Sequence, residues 1–246
     1  MTTTADLQRR STFPLVRGHG MVLAAWCWFL SFGFFVVEGI VQSAWTTPYS
    51  MIDNYISDLG AARCGTVTIN AYQAYVCSPL HGLMNTAYIT VGALAAVGAL
   101  LSRPAWPKGR QATAGLVLVA IAGVGAIIAG LFPEDVNQDL HILGALLAVP
   151  GSNIGMLLLA LSLRRHHPAL AVFTGLIVLV GLAGLVLTGT PGSGLGIGLT
   201  ERLAGYPFEI WKTAIGAVLL TAWLRSRTNP APPTENPGSA QRPESR

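Results

Sequence analysis

Long apolar runs alternate with short polar segments along most of the chain. Six runs stand out, at roughly 20–41, 81–101, 111–132, 141–162, 169–189 and 206–224. Each is close to the ~20 residues with which a helix crosses the hydrocarbon core of a bilayer. The runs do not alternate with a period of two, which removes the barrel solution and leaves helices to satisfy the backbone within lipid. The pattern predicts an all-α integral membrane bundle of six transmembrane helices over residues 20–225. Residues 1–19 precede it as an N-terminal segment. After it, 226–246 ends in TNPAPPTENPGSAQRPESR, whose Pro-rich polar composition predicts a disordered tail. The first run is too long for the apolar core of a signal peptide and has no clear small-residue cleavage site, so no cleavable signal is expected.

Composition agrees. Hydrophobic residues make up 52% of the chain and charged residues 11%, against about 25% charged in an average soluble domain. The charge that remains is sorted by loop. Arg9, Arg10 and Arg17, then Arg103, Lys108 and Arg110, then Arg164 and Arg165, then Arg225 and Arg227 fall on one side of the expected bundle. Positive residues mark the cytoplasmic side, which places both termini in the cytoplasm of a multi-pass cell-membrane protein. Because these basic residues flank spans, the net charge of +4 points to the lipid surface and not to nucleic acid. Three acids, Asp6, Glu235 and Glu244, lie in the terminal segments. The others, Glu38, Asp53, Asp58, Glu134, Asp135, Asp139, Glu201 and Glu209, all fall at the opposite, outer side.

That acidic rim is where chemistry is expected. The segment IDNYISDLG (52–60) is compatible with a short interfacial helix that stops at Gly60 and pairs Asp53 with Ser57 and Asn54 with Asp58 at i and i+4. Glu38 lies in the outer third of the first span, where a carboxylate either snorkels to the surface or lines a cavity. His81 and Asn85 share a face at the entrance to the second span; Asp135, Asp139 and His141 enter the fourth through FPEDVNQDLH. Their spacing matches no metal motif, and no metal or other cofactor is expected. The Gly-rich run GTPGSGLGIG (189–198) has no following Lys-Ser/Thr and reads as an outer loop, not a phosphate cradle. Arg202, among so many acids, is suited to neutralise one of them or to read an anionic group. Glu209 and Lys212, at i and i+3, read as a helix ion pair. Cys64 and Cys77 bracket the first outer loop, and an oxidising compartment favours a disulfide between them. Cys27 reads as a small apolar filler inside the first span.

The sequences ISDLGA, LFPEDVNQDLH and GLTERL, in this order, resemble a bacterial and archaeal membrane family known as domain of unknown function 998, over roughly residues 20–225. The matching positions are Ser57, Leu59, Gly60, Phe132, Pro133, Asp135, His141 and Arg202. The resemblance implies a multi-span fold and supplies candidate residues but no reaction. The Cys64–Cys77 loop and the long tail depart from the family's pattern.

Three functional classes are open at this point. The first is a membrane enzyme with an outward-facing pocket, acting on a lipid-like or isoprenoid substrate that enters from the bilayer. Asp58, Asp135, Asp139 and His141 would be its acid–base groups, and Glu38, Asp53, Ser57, His81, Asn85 and Arg202 would line the substrate site. A carboxyl held protonated in an apolar pocket suits protonation of an alkene or epoxide, as in small integral-membrane terpene cyclases. A non-enzymatic structural or sensory membrane protein is the second class, and a small-molecule transporter the third.

Overall fold

The computed structural model describes residues 18–190 and 194–228. Nearly all of the expected N-terminal segment and tail lies outside those residues, as do Arg9, Arg10 and Arg17. The described chain is mostly helical. The first span is α1 (His19–Leu30) continued, after a break at Ser31 and Phe32, by α2 (Gly33–Ser43). A Ser and a Gly flank the break, the residue types at which helices bend without proline. Then come α3 (His81–Ser102), α4 (Arg110–Leu131), α5 (Gln138–Leu163), α6 (Pro168–Thr188) and α7 (Ile197–Thr228).

Five stretches are long and apolar enough to cross a membrane: His19–Ser43, His81–Ala105, Arg110–Leu131, Gln138–Leu163 and Pro168–Thr188. These make the protein a multi-pass membrane protein by length and composition. Helix α7, at 32 residues, is longer than the expected sixth run. It differs from the five in carrying Glu201, Arg202, Glu209 and Lys212 along its first half.

Close backbone approach holds the helices together. A Cβ at Gly125 would lie 2.6 Å from the Gly144 carbonyl, and one at Gly144 would lie 2.6 Å from the Ala129 amide, so α4 and α5 pack antiparallel with no room for side chains between them. Around this pair, α3 packs on α4, α6 on α5 and α7 on α6, while α1 sits against both α3 and α7. One part of the core gathers Trp28, Trp106, Trp211, Met156 and Leu159. A second, around Phe34, Val41, Ile56, Leu59 and Met84, lies under the acid-rich end, and a third joins Ala61, Val67 and Val76.

Two expectations for the loop after α2 are corrected. The segment 52–60 is not a continuous helix: a turn covers Met51–Asp53, a bend falls at Asn54, and a single 3-10 turn covers Ser57–Gly60. Tertiary contacts account for this. Gly60 packs so tightly on α3 that a Cβ would lie 2.5 Å from Asn85 Oδ1, and the Gly60 carbonyl accepts from Asn85 Nδ2 at 2.8 Å. Nor is the fold all-α. Residues Gly65–Ile69 (β1) and Tyr72–Val76 (β2) pair as an antiparallel hairpin, in register from Gly65 opposite Val76 to Ile69 opposite Tyr72. The β-branched and aromatic residues of TVTI and YQAYV suit a strand pair. Asn70, at φ 53°, takes the left-handed turn position, which Asn tolerates better than most residues. The expected Cys64–Cys77 disulfide is present and closes the base of the hairpin.

Candidate functional site

All the loops at the acid-rich end are fastened to one another. Asp135 receives the backbone amides of Ala62 and Arg63, each at 2.8 Å, on its two carboxylate oxygens. Gln138 Nε2 donates to the Thr68 carbonyl of the hairpin at 2.9 Å. The Ile56 amide donates to Glu201 at the start of α7, and Ser57 Oγ donates to the same carboxylate at 3.4 Å. Leu199 N donates to the Ile52 carbonyl at 2.9 Å. Together these contacts form a continuous cap over the helix ends.

Arg202 is the centre of one half of the cap. Its Nη1 donates to the carbonyls of Met51, Asn54 and Gly198 at 2.9–3.0 Å. Its Nη2 pairs with Glu38 Oε1 at 3.3 Å and donates to Tyr49 Oη at 2.5 Å. Tyr206 Oη completes the group by donating to Glu38 at 2.6 Å. Both charged residues are buried. Of the two expected roles for Arg202, the structure therefore gives the first: it neutralises Glu38, and its remaining donors hold the loop. Only a planar, forked cation can meet this many acceptors at once.

The other half is a group of acids. Asp58 is completely buried, and Glu134 is 3% exposed. Asn54 Nδ2 at 3.0 Å and Tyr72 Oη, from the hairpin, both donate to Asp58 Oδ2. The Glu134 carboxyl lies beside Asp58, Ser57 and Glu201 and is hydrogen-bonded to none of them. Yet Asp58 Oδ1 and both Glu134 oxygens have no donor if both acids are ionised. A single proton between the two carboxyls gives Asp58 Oδ1 and one Glu134 oxygen a partner and leaves the second Glu134 oxygen without one. Burial first, and the negative charge of Asp58 second, push Glu134 up to about 10, so it is the acid that carries the proton at neutral pH. Tyr72 is likewise pushed up, by burial and then by Asp58, and stays a neutral donor. Glu134 thus bridges, by proximity and not by hydrogen bonds, the Tyr72–Asp58 and Ser57–Glu201 pairs, and together these groups make up the carboxyl chain.

Ser57 and Glu201 also line a cavity of about 120 Å³ between the helices. Its walls are largely apolar, with Phe34, Val91, Ala126, Ala145 and Val149 among them. His141 faces the same space. Its Nδ1 lies 3.2 Å and 3.1 Å from the carbonyls of Ala129 and Phe132. Two acceptors at Nδ1 require the proton there, which leaves Nε2 as a lone-pair base. Deeper along α7, Glu209 and Lys212 line the cavity and pair at 2.8 Å, as the sequence suggested.

The sequence-predicted site residues are thus divided. Asp58, Ser57 and His141 lie in the carboxyl chain or on the cavity wall. Glu38 and Arg202 form the buried pair beside it. Asn85 holds Gly60 in place. Asp135 has both oxygens occupied by backbone amides, which gives it the work of holding a loop. Asp139 is exposed in the first turn of α5, and Asp53 is exposed with Ser50 Oγ at 2.7 Å. His81 Nδ1 contacts the Ser78 carbonyl at 3.0 Å, at the foot of α3. Glu134, Glu201 and Tyr72 were not among the predicted site residues. Among the described residues, no group of three His, Cys, Asp or Glu is arranged to hold a metal ion.

A family model described as "Protein of unknown function (DUF998)" matches residues 29–218, a stretch that contains every group of the carboxyl chain and the whole cavity. No curated protein and no solved structure matches the chain.

Proposed function

The chain belongs to the DUF998 family, and we propose that it is a membrane enzyme that moves protons on a lipid-like or isoprenoid substrate held in the interhelical cavity. The observation that carries this reading is Glu134, a carboxyl buried against Asp58 with neither oxygen hydrogen-bonded and pushed up by burial and then by Asp58, beside Ser57, which lines a predominantly apolar cavity. In the proposed reaction a proton passes from Glu134 through Ser57 and Glu201 to a carbon–carbon double bond of the substrate. One alkene carbon gains the proton and its neighbour becomes cationic. Asp58 and Glu134 are then both carboxylates, with one negative charge each. His141 Nε2 accepts a proton from a carbon next to the cation, and a new double bond forms. Proton return from His141 to the carboxyl pair closes the cycle, so the net change is an isomerisation or cyclisation with no co-reactant.

The full topology belongs to the same proposal. Helix α7 crosses the bilayer as a sixth span. Both termini are cytoplasmic, in a cell membrane, and the carboxyl chain faces outward. The Cys64–Cys77 disulfide at the acid-rich end supports that orientation, because disulfides persist outside the cytoplasm. So does the grouping of Arg103, Lys108, Arg110, Arg164 and Arg165 at the other end.

The test is to incubate the purified protein, in lipid nanodiscs in deuterium oxide, with a total lipid extract of its source membranes. Mass spectrometry should find deuterium at carbon in an apolar lipid, and Glu134→Gln should reduce the label by ~100-fold or more. If the folded protein leaves every lipid unlabelled, the enzymatic reading is wrong.

A further inference from the structure

The cavity has a second polar pole that the proton chemistry does not use. Glu209 and Lys212 lie eight residues and more beyond Glu201 along α7, about 12 Å at 1.5 Å per residue. Lys212 is 1% exposed and Glu209 is 8% exposed, and both line the cavity. Their ion pair uses Glu209 Oε1, while Glu209 Oε2 is buried without a partner. The Lys212 ammonium sits over the Phe208 ring at 4.4 Å and has three donors, of which the pair uses one. A buried acceptor left unsatisfied is costly, and Glu209, which carries it, is among the residues that line the cavity.

Charge selects the ligand. The pair is neutral as a whole. A carboxylate at this pole would meet Glu209, and an ammonium would meet Lys212. A hydroxyl meets both groups correctly: its O–H donates to Glu209 Oε2, and its oxygen accepts from Lys212 Nζ. We infer that the substrate is a narrow, long-chain alcohol whose hydroxyl docks between Glu209 and Lys212. Its apolar chain runs along the Ala- and Val-rich wall, with its reactive double bond about 12 Å away beside Ser57, Glu201 and His141. This inference rests on the reading of the cavity as a lipid-substrate site, but its test needs no turnover.

The probes are decan-1-ol, decane, decanoic acid and decylamine, titrated against the full chain in nanodiscs with melting temperature as the readout. Decan-1-ol should stabilise the protein most. Single variants would strand a buried charge, so the informative variant is Glu209→Leu with Lys212→Met, which removes both charges together. It should fold, and its apparent affinity for decan-1-ol should fall about tenfold, the scale of a hydrogen bond to a charged group, to the level of decane. Equal stabilisation by decane and decan-1-ol in the natural chain overturns the inference, as does an alcohol preference that survives the double substitution. Should the double variant fail to fold, the natural chain's ranking of the four probes decides alone. An absent deuterium label with an intact alcohol preference would remove the proposed reaction and leave this pole standing.

Discussion

Replacing Glu134 by Gln isolates the shared proton. In the unfolded chain the Glu134 carboxyl titrates near its ordinary 4.5; in the folded protein it does so at about 10. Between those values the folded state holds one proton that the unfolded state has released. A folded-state value above the unfolded one, for an acid, means stability that is intact below about pH 4.5 and declines as pH rises. The slope is ~1.4 kcal/mol per pH unit, levelling off near pH 10. At pH 7 the cost has reached about 3 kcal/mol. Gln is neutral throughout, and its amide can donate to Asp58 Oδ1. Glu134→Gln should therefore match the natural protein near pH 5 and exceed it by about 3 kcal/mol at pH 7, or roughly 6–12 °C in melting temperature for a chain of this size. Thermal unfolding in detergent at pH 5, 6, 7, 8 and 9 measures it. Parallel curves for the two proteins, or a variant less stable at pH 8 than at pH 5 by the same margin as the natural chain, would refute the assignment of the proton to Glu134.

Arg202→Met should cost about 3–5 kcal/mol, because it leaves the Glu38 carboxylate buried without its cation; denaturant titration reads the loss. Asp135→Asn should lower stability by about 1–3 kcal/mol, since an amide cannot receive both the Ala62 and Arg63 amides, whereas Asp139→Asn should change neither stability nor deuterium labelling. Reducing the Cys64–Cys77 bond should cost about 3 kcal/mol, seen as a lower melting temperature in dithiothreitol. Single cysteines at Lys108 or Arg165 should resist an impermeant thiol reagent in intact cells and one at Gln138 should react; the reverse pattern would invert the orientation.

The helices were legible because lipid leaves the chain few options: a continuous apolar run of the right length has to be helical. The Glu209–Lys212 pair and the disulfide were legible for a similar reason, since i,i+3 spacing and a closed loop are local facts. The hairpin was a missed local signal. TVTI and YQAYV carry strand-forming residues on either side of a turn, but a loop between two spans invites no search for strands. Glu134 was hidden by something else. In FPEDV two acids stand side by side, and the sequence cannot say which one the turn after Pro133 directs inward. The structure turns Glu134 into the carboxyl chain and Asp135 towards the Ala62 and Arg63 amides. Tyr72 was out of reach altogether, because its contact with Asp58 exists only once the hairpin has folded back over the 3-10 turn.

Arg202 and Glu38 are separated by 164 residues. During synthesis at ~5–20 residues per second, the first span is made roughly ten to thirty seconds before the residue that will neutralise its carboxylate. For that interval Glu38 has no permanent counterion, and the nascent first span must keep it protonated or near the water interface. A chain truncated before α7 never leaves this state. Completion of the last helix is thus the step that supplies Glu38 with its buried counterion.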